Sequence, residues 1–461
     1  MEGLKEASKR LVYELKRRTE TAGLEIKLDP AQSAVYKACF VGAPHCPTQH
    51  HPAPNQPWRN PVRPFESVHR LMRQYVDREL LPGLACAVLR GGELVDLHCE
   101  GWADREAGVE LRPDHLFRIF SNTKLMTSCA VLLLLEEGRI SLDDPIETYL
   151  PQLGARQVLR AGASNLADTE PAQQSITIRH LLTHSSGLTS AILDAQSPLY
   201  QPYLERGVRD PNMTLEQMVD ALAALPLAFH PGRQWEYSMA TDVLARLLEV
   251  LTGRTFDVVL RERIFEPLAM HDTGFWLAPA EQTRLVAYYA GASLTEPLQP
   301  GLTRTDDAPY PGAYRQPFAR LSGGGGLVSS VGDMVKLMQA LMPAASAEAQ
   351  TRSPRLLKPQ TLELMMENHL APGLCLRSAA FGEVRGKGHG LAGAVTRVPS
   401  AMESPHSAGE FHWGGIAGTH WWIHPRHQIA GVLMAQRQWA FWHPFAFDCK
   451  RAIYEHVLGS A

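Results

Sequence analysis

The stretch FRIFSNTKLMTSCAVLLLLEEG, residues 117–138, places Ser121 and Lys124 one helical turn apart at the mouth of a very apolar helix. The pattern predicts a helix from about Ser121 to Glu137, with Gly138 as a C-cap. Two readings compete for the hydroxyl and the amine. In one, Ser121 or Asn122 caps the helix and Lys124 is a solvated residue of its first turn. In the other, Ser121 is a nucleophile and Lys124 its proton acceptor. Side chains three apart on a helix lie roughly 5–6 Å apart at Cβ, and serine needs a neighbouring base to attack. Two fixed positions in four residues recur by chance in long chains, so the rest of the sequence has to decide.

Upstream, FESVHRLMRQYVDREL (65–80) reads as a helix, and LACAVLR and ELVDLHCEGW read as strands flanking Gly91-Gly92. Paired glycines tolerate positive φ and mark a tight hairpin. Downstream, TDVLARLLEVLTG carries Leu244, Leu247, Leu248 and Leu251 on one helical face and ends at Gly253. Strands return at HWGGIAG, THWWIHP and QIAGVLMAQ, followed by a helix at FAFDCKRAIYEHVL. Strands at both ends with helices between predict an α+β fold: an antiparallel sheet flanked by helices, plus a mainly helical inserted domain. The expected organisation is an N-terminal extension at 1–64, a sheet domain made of 65–145 and 321–461, and a helical domain at 146–320. The extension carries Leu4, Leu11, Val12 and Leu15 at helical spacing.

The 461 residues are 45% hydrophobic and 20% charged, with a formal net charge of -3. That composition is ordinary for a globular protein and gives no basic footprint for nucleic acid. The apolar run Ala130–Leu135 is far shorter than the ~20 residues of a membrane span. The charged N-terminus lacks an apolar secretory centre, so the expected location is cytoplasmic with no membrane partner. Seven cysteines without a CxxC read as reduced thiols. Cys46, His50 and His51 lack a fourth ligand at zinc spacing, so no metal is expected. There is no GxSxG or HExxH, and GEVRGKG (382–388) lacks P-loop spacing.

Two further pieces bear on Ser121. Tyr237-Ser238 stands immediately before a helix, after the Pro231-Gly232 turn, where a phenol can face a cleft; the competing reading is a packing tyrosine bonded to backbone. Trp413-Gly414-Gly415 interrupts a strand with paired glycines. Glycines there allow close approach of a ligand or another backbone, or else form a bulge. If this were an edge strand beside Ser121, its N–H groups could supply half of an oxyanion hole.

SxxK, then Tyr-Ser before a helix, then a Trp-Gly-Gly strand, in this order, resemble the family VIII carboxylesterases, in the group of class C β-lactamases and DD-peptidases. IRHLLTHSSGL (178–188), FHPGRQWEYS (229–238) and LSGGGGLVSS (321–330) add to the likeness, which covers about 66–457. The resemblance implies a β-lactamase/DD-peptidase-like fold. It makes Ser121 the acylated nucleophile, Lys124 its general base and Tyr237 the proton relay. The backbone N–H groups of Ser121 and Ile416 would form the oxyanion hole, with Trp413, Gly414, Gly415 and Met239 at the substrate. His184 reads as a structural turn residue, and the Gly323–Gly326 run resembles a glycine-rich segment near the cleft, with a flexible loop as the competing reading and no chemistry assigned. No cofactor is implied.

Two departures shape the substrate. The family's Tyr-x-Asn reads Tyr237-Ser238-Met239 here, which removes a side-chain amide. Its Lys-Thr-Gly reads Trp413-Gly414-Gly415, which removes a cation that would meet a substrate carboxylate. Both losses point toward neutral esters of short-to-medium acyl chains, with Trp413, Trp421 and Trp422 as candidates for an apolar acyl wall. The alternatives are an amide or β-lactam hydrolase or a transacylase at the same site, or a non-catalytic binding protein. The implied partner is a small-molecule ester; self-association into a homo-oligomer stays open.

Overall fold

GLACAVLR and IAGVLMA are apolar at successive positions, as strands covered on both faces must be. The computed structural model describes residues 65–190, 197–293, 295–306, 308–343, 355–378 and 382–459. It pairs these two runs inside an eight-stranded antiparallel sheet. In chain order the strands are β1 Gly83–Arg90, β2 Glu93–Asp104, β3 Val109–Glu110, β4 Lys387–His389, β5 Ala394–Thr396, β6 Phe411–Gly415, β7 Thr419–His424 and β8 Ile429–Ala435. Across the sheet they run β4-β5-β6-β7-β8-β1-β2-β3, so the two ends of the chain meet where β8 pairs β1, Leu84 opposite Ala435. Gly91 and Gly92 turn the β1–β2 hairpin at φ 59° and 88°.

The helices are α1 Glu66–Asp77, α2 Thr123–Glu136, α3 Ile178–Leu182, α4 Tyr200–Glu205, α5 Leu215–Ala223, α6 Ala240–Thr252, α7 Phe256–Leu260, α8 Val331–Leu341, α9 Pro359–Met366 and α10 Pro444–Leu458. Alternation along β1 sends Leu84, Cys86 and Val88 to the face covered by α1 and α10. Ala85, Ala87 and Leu89 go to the opposite face, in the large core shared with α2 and α8. Among the described residues, no helix is long and apolar enough to cross a membrane.

Helix α2 is the hub. Eleven of its 14 residues are buried, so it has no solvent face and Lys124 cannot be a solvated first-turn residue. It packs against α6, which also touches α3, α5 and α7. Leu244, Leu247 and Leu248 of α6 are buried, and Gly253 ends the helix at φ 66°. The capping reading of Ser121 and Asn122 fails as well. Residues Phe120–Asn122 form a 3-10 turn, α2 starts at Thr123, and no side chain caps it.

Two other expectations are corrected. Strand β6 is not an edge strand, because β5 and β7 flank it. The pairing with β5 nevertheless ends at His412 opposite Ala394, so Trp413–Gly415 are paired on the β7 side alone. Trp421 and Trp422 do not line an acyl wall. They are 1% and 0% exposed and fill the cores on opposite faces of the sheet, as neighbours on one strand must. The Cys46, His50 and His51 group and the N-terminal extension lie outside the described residues.

Candidate active site

The site lies where α2 emerges between the sheet and the helices. Phe120 takes a left-handed φ of 43°, a conformation that costs a bulky residue on the order of 1 kcal/mol or more. That elbow turns the chain from the strand segment Leu116–Arg118 into the 3-10 turn carrying Ser121. Tyr237 reaches it from the loop before α6: its hydroxyl donates to Ser121 Oγ at 2.6 Å. Lys124 stands over the Tyr237 ring, its Nζ 4.6 Å from the centroid. Lys124 is 6% exposed, and its amine donates to Gly324 O at 2.6 Å. A buried amine without a hydrogen-bond acceptor would be costly; here the Gly324 carbonyl accepts from it and the Tyr237 ring packs beside it.

The glycine run 323–326, which the resemblance placed near the cleft without assigning it chemistry, closes onto this amine. Thr127 Oγ1 donates to Gly323 O at 2.8 Å. A β-carbon on Gly324 would stand 2.6 Å from Asp242 Oδ2 and 3.1 Å from Lys124 Nζ. The carboxylate and the amine therefore face each other across a residue that has to be glycine. Asp242 itself is buried and accepts from Ser322 Oγ at 2.6 Å, with Arg320 at 3.6 Å.

On the other flank, β6 leans against the turn before Ser121. A side chain on Gly415 would run into Ile119 O and the Thr419 hydroxyl, and Thr419 Oγ1 donates to Ile119 O at 3.1 Å. A β-carbon on Gly414 would meet His420 Nδ1 at 2.6 Å. Of the alternatives for these glycines, close approach of backbone and side chains of the same chain is the one realised. The β6–β7 register runs without a bulge. Ile416 follows directly, in the turn joining β6 to β7. Trp413 stacks on Tyr237 with centroids 5.6 Å apart and is 8% exposed. Met239 precedes α6 at its N-cap position without a side-chain capping bond and is 6% exposed within the core, so it offers little surface to a ligand.

His184 is the structural turn residue its motif suggests. It adopts φ 55°, and its Nδ1 accepts from Ser238 N–H at 3.3 Å and meets the Ser238 hydroxyl at 3.0 Å. Its ring packs 4.9 Å from Tyr237, so it braces the tyrosine from behind. Burial, His389 and Lys124 together hold His184 well below the usual imidazole range. His389, which no motif singled out, packs against His184 and Trp413. Its Nδ1–H donates to Gly390 O at 2.6 Å, and burial pulls its pKa down to about 4. Both rings are therefore neutral at physiological pH. Asp242 and His389 come from separate segments, and no spacing in the sequence links either to Ser121. Among the described residues, no group of three or more His, Cys, Asp or Glu side chains could hold a metal.

An α+β sheet-and-helix fold with serine, lysine and tyrosine converging at the tip of a buried helix defines a serine hydrolase of the β-lactamase type. The chain belongs to the Beta-lactamase family, whose model matches residues 68–447. Esterase EstB of Burkholderia gladioli is 33% identical over 360 residues, 74% of this chain and 83% of that protein. Monacolin J acid methylbutanoyltransferase of Aspergillus terreus is 28% identical over 76% of this chain and 83% of its own. Among solved structures, EstCE1, described as a hydrolase with promiscuous acyltransferase activity, superposes with a TM-score of 0.69 at 25% identity, covering 84% of this chain and 98% of its own.

Proposed function

We propose that the protein is a serine esterase of the family VIII type, hydrolysing short-to-medium acyl carboxylic esters through an acyl-enzyme on Ser121. The observation that carries this reading is the 2.6 Å contact between the Tyr237 hydroxyl and Ser121 Oγ, with the Lys124 amine over the same phenol ring. Lys124 and Tyr237 take the Ser121 proton as Oγ attacks the ester carbonyl. The backbone N–H groups of Ser121 and Ile416 receive the oxyanion. The same pair returns the proton to the departing alcohol, and water then releases the acid and restores Ser121. Trp413 forms the apolar floor beside Tyr237, and Gly414 and Gly415 let β6 approach the nucleophile's turn. Met239 bears on the site by ending the loop that carries Tyr237, without contributing an amide.

The resemblance to EstB and EstCE1 supports ester hydrolysis. The named acyltransferase relative keeps a second reading in view, in which an alcohol replaces water at the acyl-enzyme. The test is hydrolysis of p-nitrophenyl esters from acetate to laurate, with nitrocefin alongside, by wild type and Ser121→Ala. Turnover of short esters that outpaces nitrocefin and disappears in Ser121→Ala is expected. Activity surviving in Ser121→Ala would sink the reading. Adding a competing alcohol and measuring transferred ester against free acid separates hydrolysis from transfer.

A further inference from the structure

A cavity of about 200 Å³ lies between α3 and the segment that follows α9. None of Ser121, Lys124, Tyr237 or Trp413 lines it. An apolar cavity of about 150 Å³ holds benzene, so this one has room for roughly six to ten non-hydrogen atoms. Its lining divides in chemistry by segment. Leu370, Ala371 and Leu374, after α9, are apolar, whereas Gln174, Arg179, His180, Thr183 and Ser185, around α3, are polar. Among the described residues, no carboxylate lines it.

The acceptors on this lining are already engaged. Thr183 Oγ1 donates to Arg179 O at 2.8 Å, so the Ser185 hydroxyl donates to Thr183 at 2.9 Å. His369 Nδ1 accepts from Arg179 Nη1 at 3.0 Å, and its Nε2–H donates to Leu364 O at 2.6 Å. What is left over is a set of donors. Arg179 turns Nε and Nη2 to Asp143 at 2.7 and 2.8 Å, which leaves two of its five N–H groups beyond the bond to His369. Gln174 gives one amide hydrogen to Pro231 O at 2.6 Å and keeps the second. His180 Nδ1 accepts the Thr177 N–H at 3.1 Å, which puts the ring proton on Nε2. The Nε2 atoms of Gln174 and His180 converge, since each would stand 3.0 Å from a β-carbon on Gly232. Gly232 itself lines the cavity, so no side chain fills the space before these two donors.

Burial holds His180 and His369 below the usual imidazole range, which leaves Arg179 as the cation of the lining. Its partner Asp143 lies outside the cavity with a side chain 70% exposed, where water weakens the pair. Spare donors around one guanidinium suit a group that only accepts and is negatively charged, which is a carboxylate. The three apolar residues suit a short hydrocarbon tail.

We propose that this cavity, between Arg179 and Gln174 on one segment and Leu374 on the other, is a second binding site, for a short-chain carboxylate, outside the Ser121 cleft. Its walls reach the rings around the phenol. Thr183 and Ser185 stand on either side of His184, which packs 4.9 Å from Tyr237, and the His369 N–H donates to His389 O at 2.9 Å. An occupant is therefore expected to act on kcat more than on KM. The site itself does not depend on the esterase reading.

Isothermal titration calorimetry with sodium butyrate, and with butyramide as its neutral match, reads binding without turnover. Wild type should bind butyrate in preference to butyramide. Arg179→Gln should weaken butyrate about 10- to 100-fold, and Gln174→Ala should weaken it with the Arg179–Asp143 pair intact. Asp143→Asn should tighten it severalfold, because the guanidinium loses its own counter-charge. No butyrate binding by wild type, equal binding of butyramide, unchanged affinity in Arg179→Gln, or no tightening in Asp143→Asn would overturn the proposal. Binding lost in Trp413→Ala and kept in Arg179→Gln would overturn it too, by placing the acid in the Ser121 cleft. In p-nitrophenyl acetate hydrolysis, butyrate should change kcat in wild type and not in Arg179→Gln; purely competitive inhibition of both would again overturn it. Butyrate binding that follows this pattern in a protein without ester turnover would defeat the esterase reading and leave the second site standing.

Discussion

Ser121 Oγ accepts from the Tyr237 hydroxyl at 2.6 Å. Removing it in Tyr237→Phe should lower kcat about 10²–10⁴-fold and leave KM for p-nitrophenyl acetate nearly unchanged, because the ring still stacks on Trp413. A variant with wild-type kcat would show that Lys124 acts without the phenol. Gly324→Ala probes the opposite side of the amine. The new methyl would stand 2.6 Å from Asp242 Oδ2 and 3.1 Å from Lys124 Nζ, so the loop must shift and carry the lysine's acceptor carbonyl with it. Displacement of that order costs about 10²-fold in rate. A kinetic comparison with wild type checks it, and near-normal turnover would mean that the Gly324 carbonyl does not position Lys124. SxxK and Tyr-Ser were readable in the chain because the first is local and the second abuts a helix start. Asp242 was not, since only the packing of α6 against α2 brings it to the amine, and the glycine run was placed near the cleft with no role toward Lys124.

At the scale of elements, α2 bears the site and the core together. Leu132 is fully buried, more than two turns beyond Lys124. Leu132→Ala should cost about 2–5 kcal/mol, read as a lower urea midpoint with an unchanged slope. A loss well under 1 kcal/mol would mean that α2 is not the hub. Strand β6 illustrates what local sequence leaves undecided. Its glycines announced a close approach, but whether a ligand, a bulge or the chain itself lay opposite depended on register. The observed register sets Gly415 against the Ile119 carbonyl. The early end of the β5 pairing, not an edge position, leaves Trp413–Gly415 unpaired on one side. In the same way Trp421 and Trp422 looked like wall residues in one dimension, and strand alternation sent both into cores.

Across the described residues, burial pulls several histidines below the usual imidazole range. His389 is pulled down to about 4, and His420 and His443 to about 3. Their folded-state values lie below the unfolded value near 6.5, so the unfolded chain binds more protons below that pH. The stability they contribute is present above pH 6.5 and lost as pH falls toward 4. Every proton that the unfolded chain takes up and the folded chain refuses lowers stability as pH falls through that window. The urea midpoint should therefore fall steeply between pH 7 and 5, and a flat profile would show that these rings already find proton-accepting partners when charged.

Periodicity and composition determined that this chain builds an antiparallel sheet from its two ends, with helices on it and between them. Those signals are local: alternation for strands, the 3.6-residue stripe for helices, glycine for turns. Motif order was enough to bring Ser121, Lys124 and Tyr237 under one reading. The tertiary structure alone decided how the amine is held, which tryptophan meets the phenol, and why His184 and His389 stay neutral. Each of these depends on a distance between segments far apart in the chain, set by how α6 and β6 pack on α2, and sequence patterns at one segment carry no record of that distance.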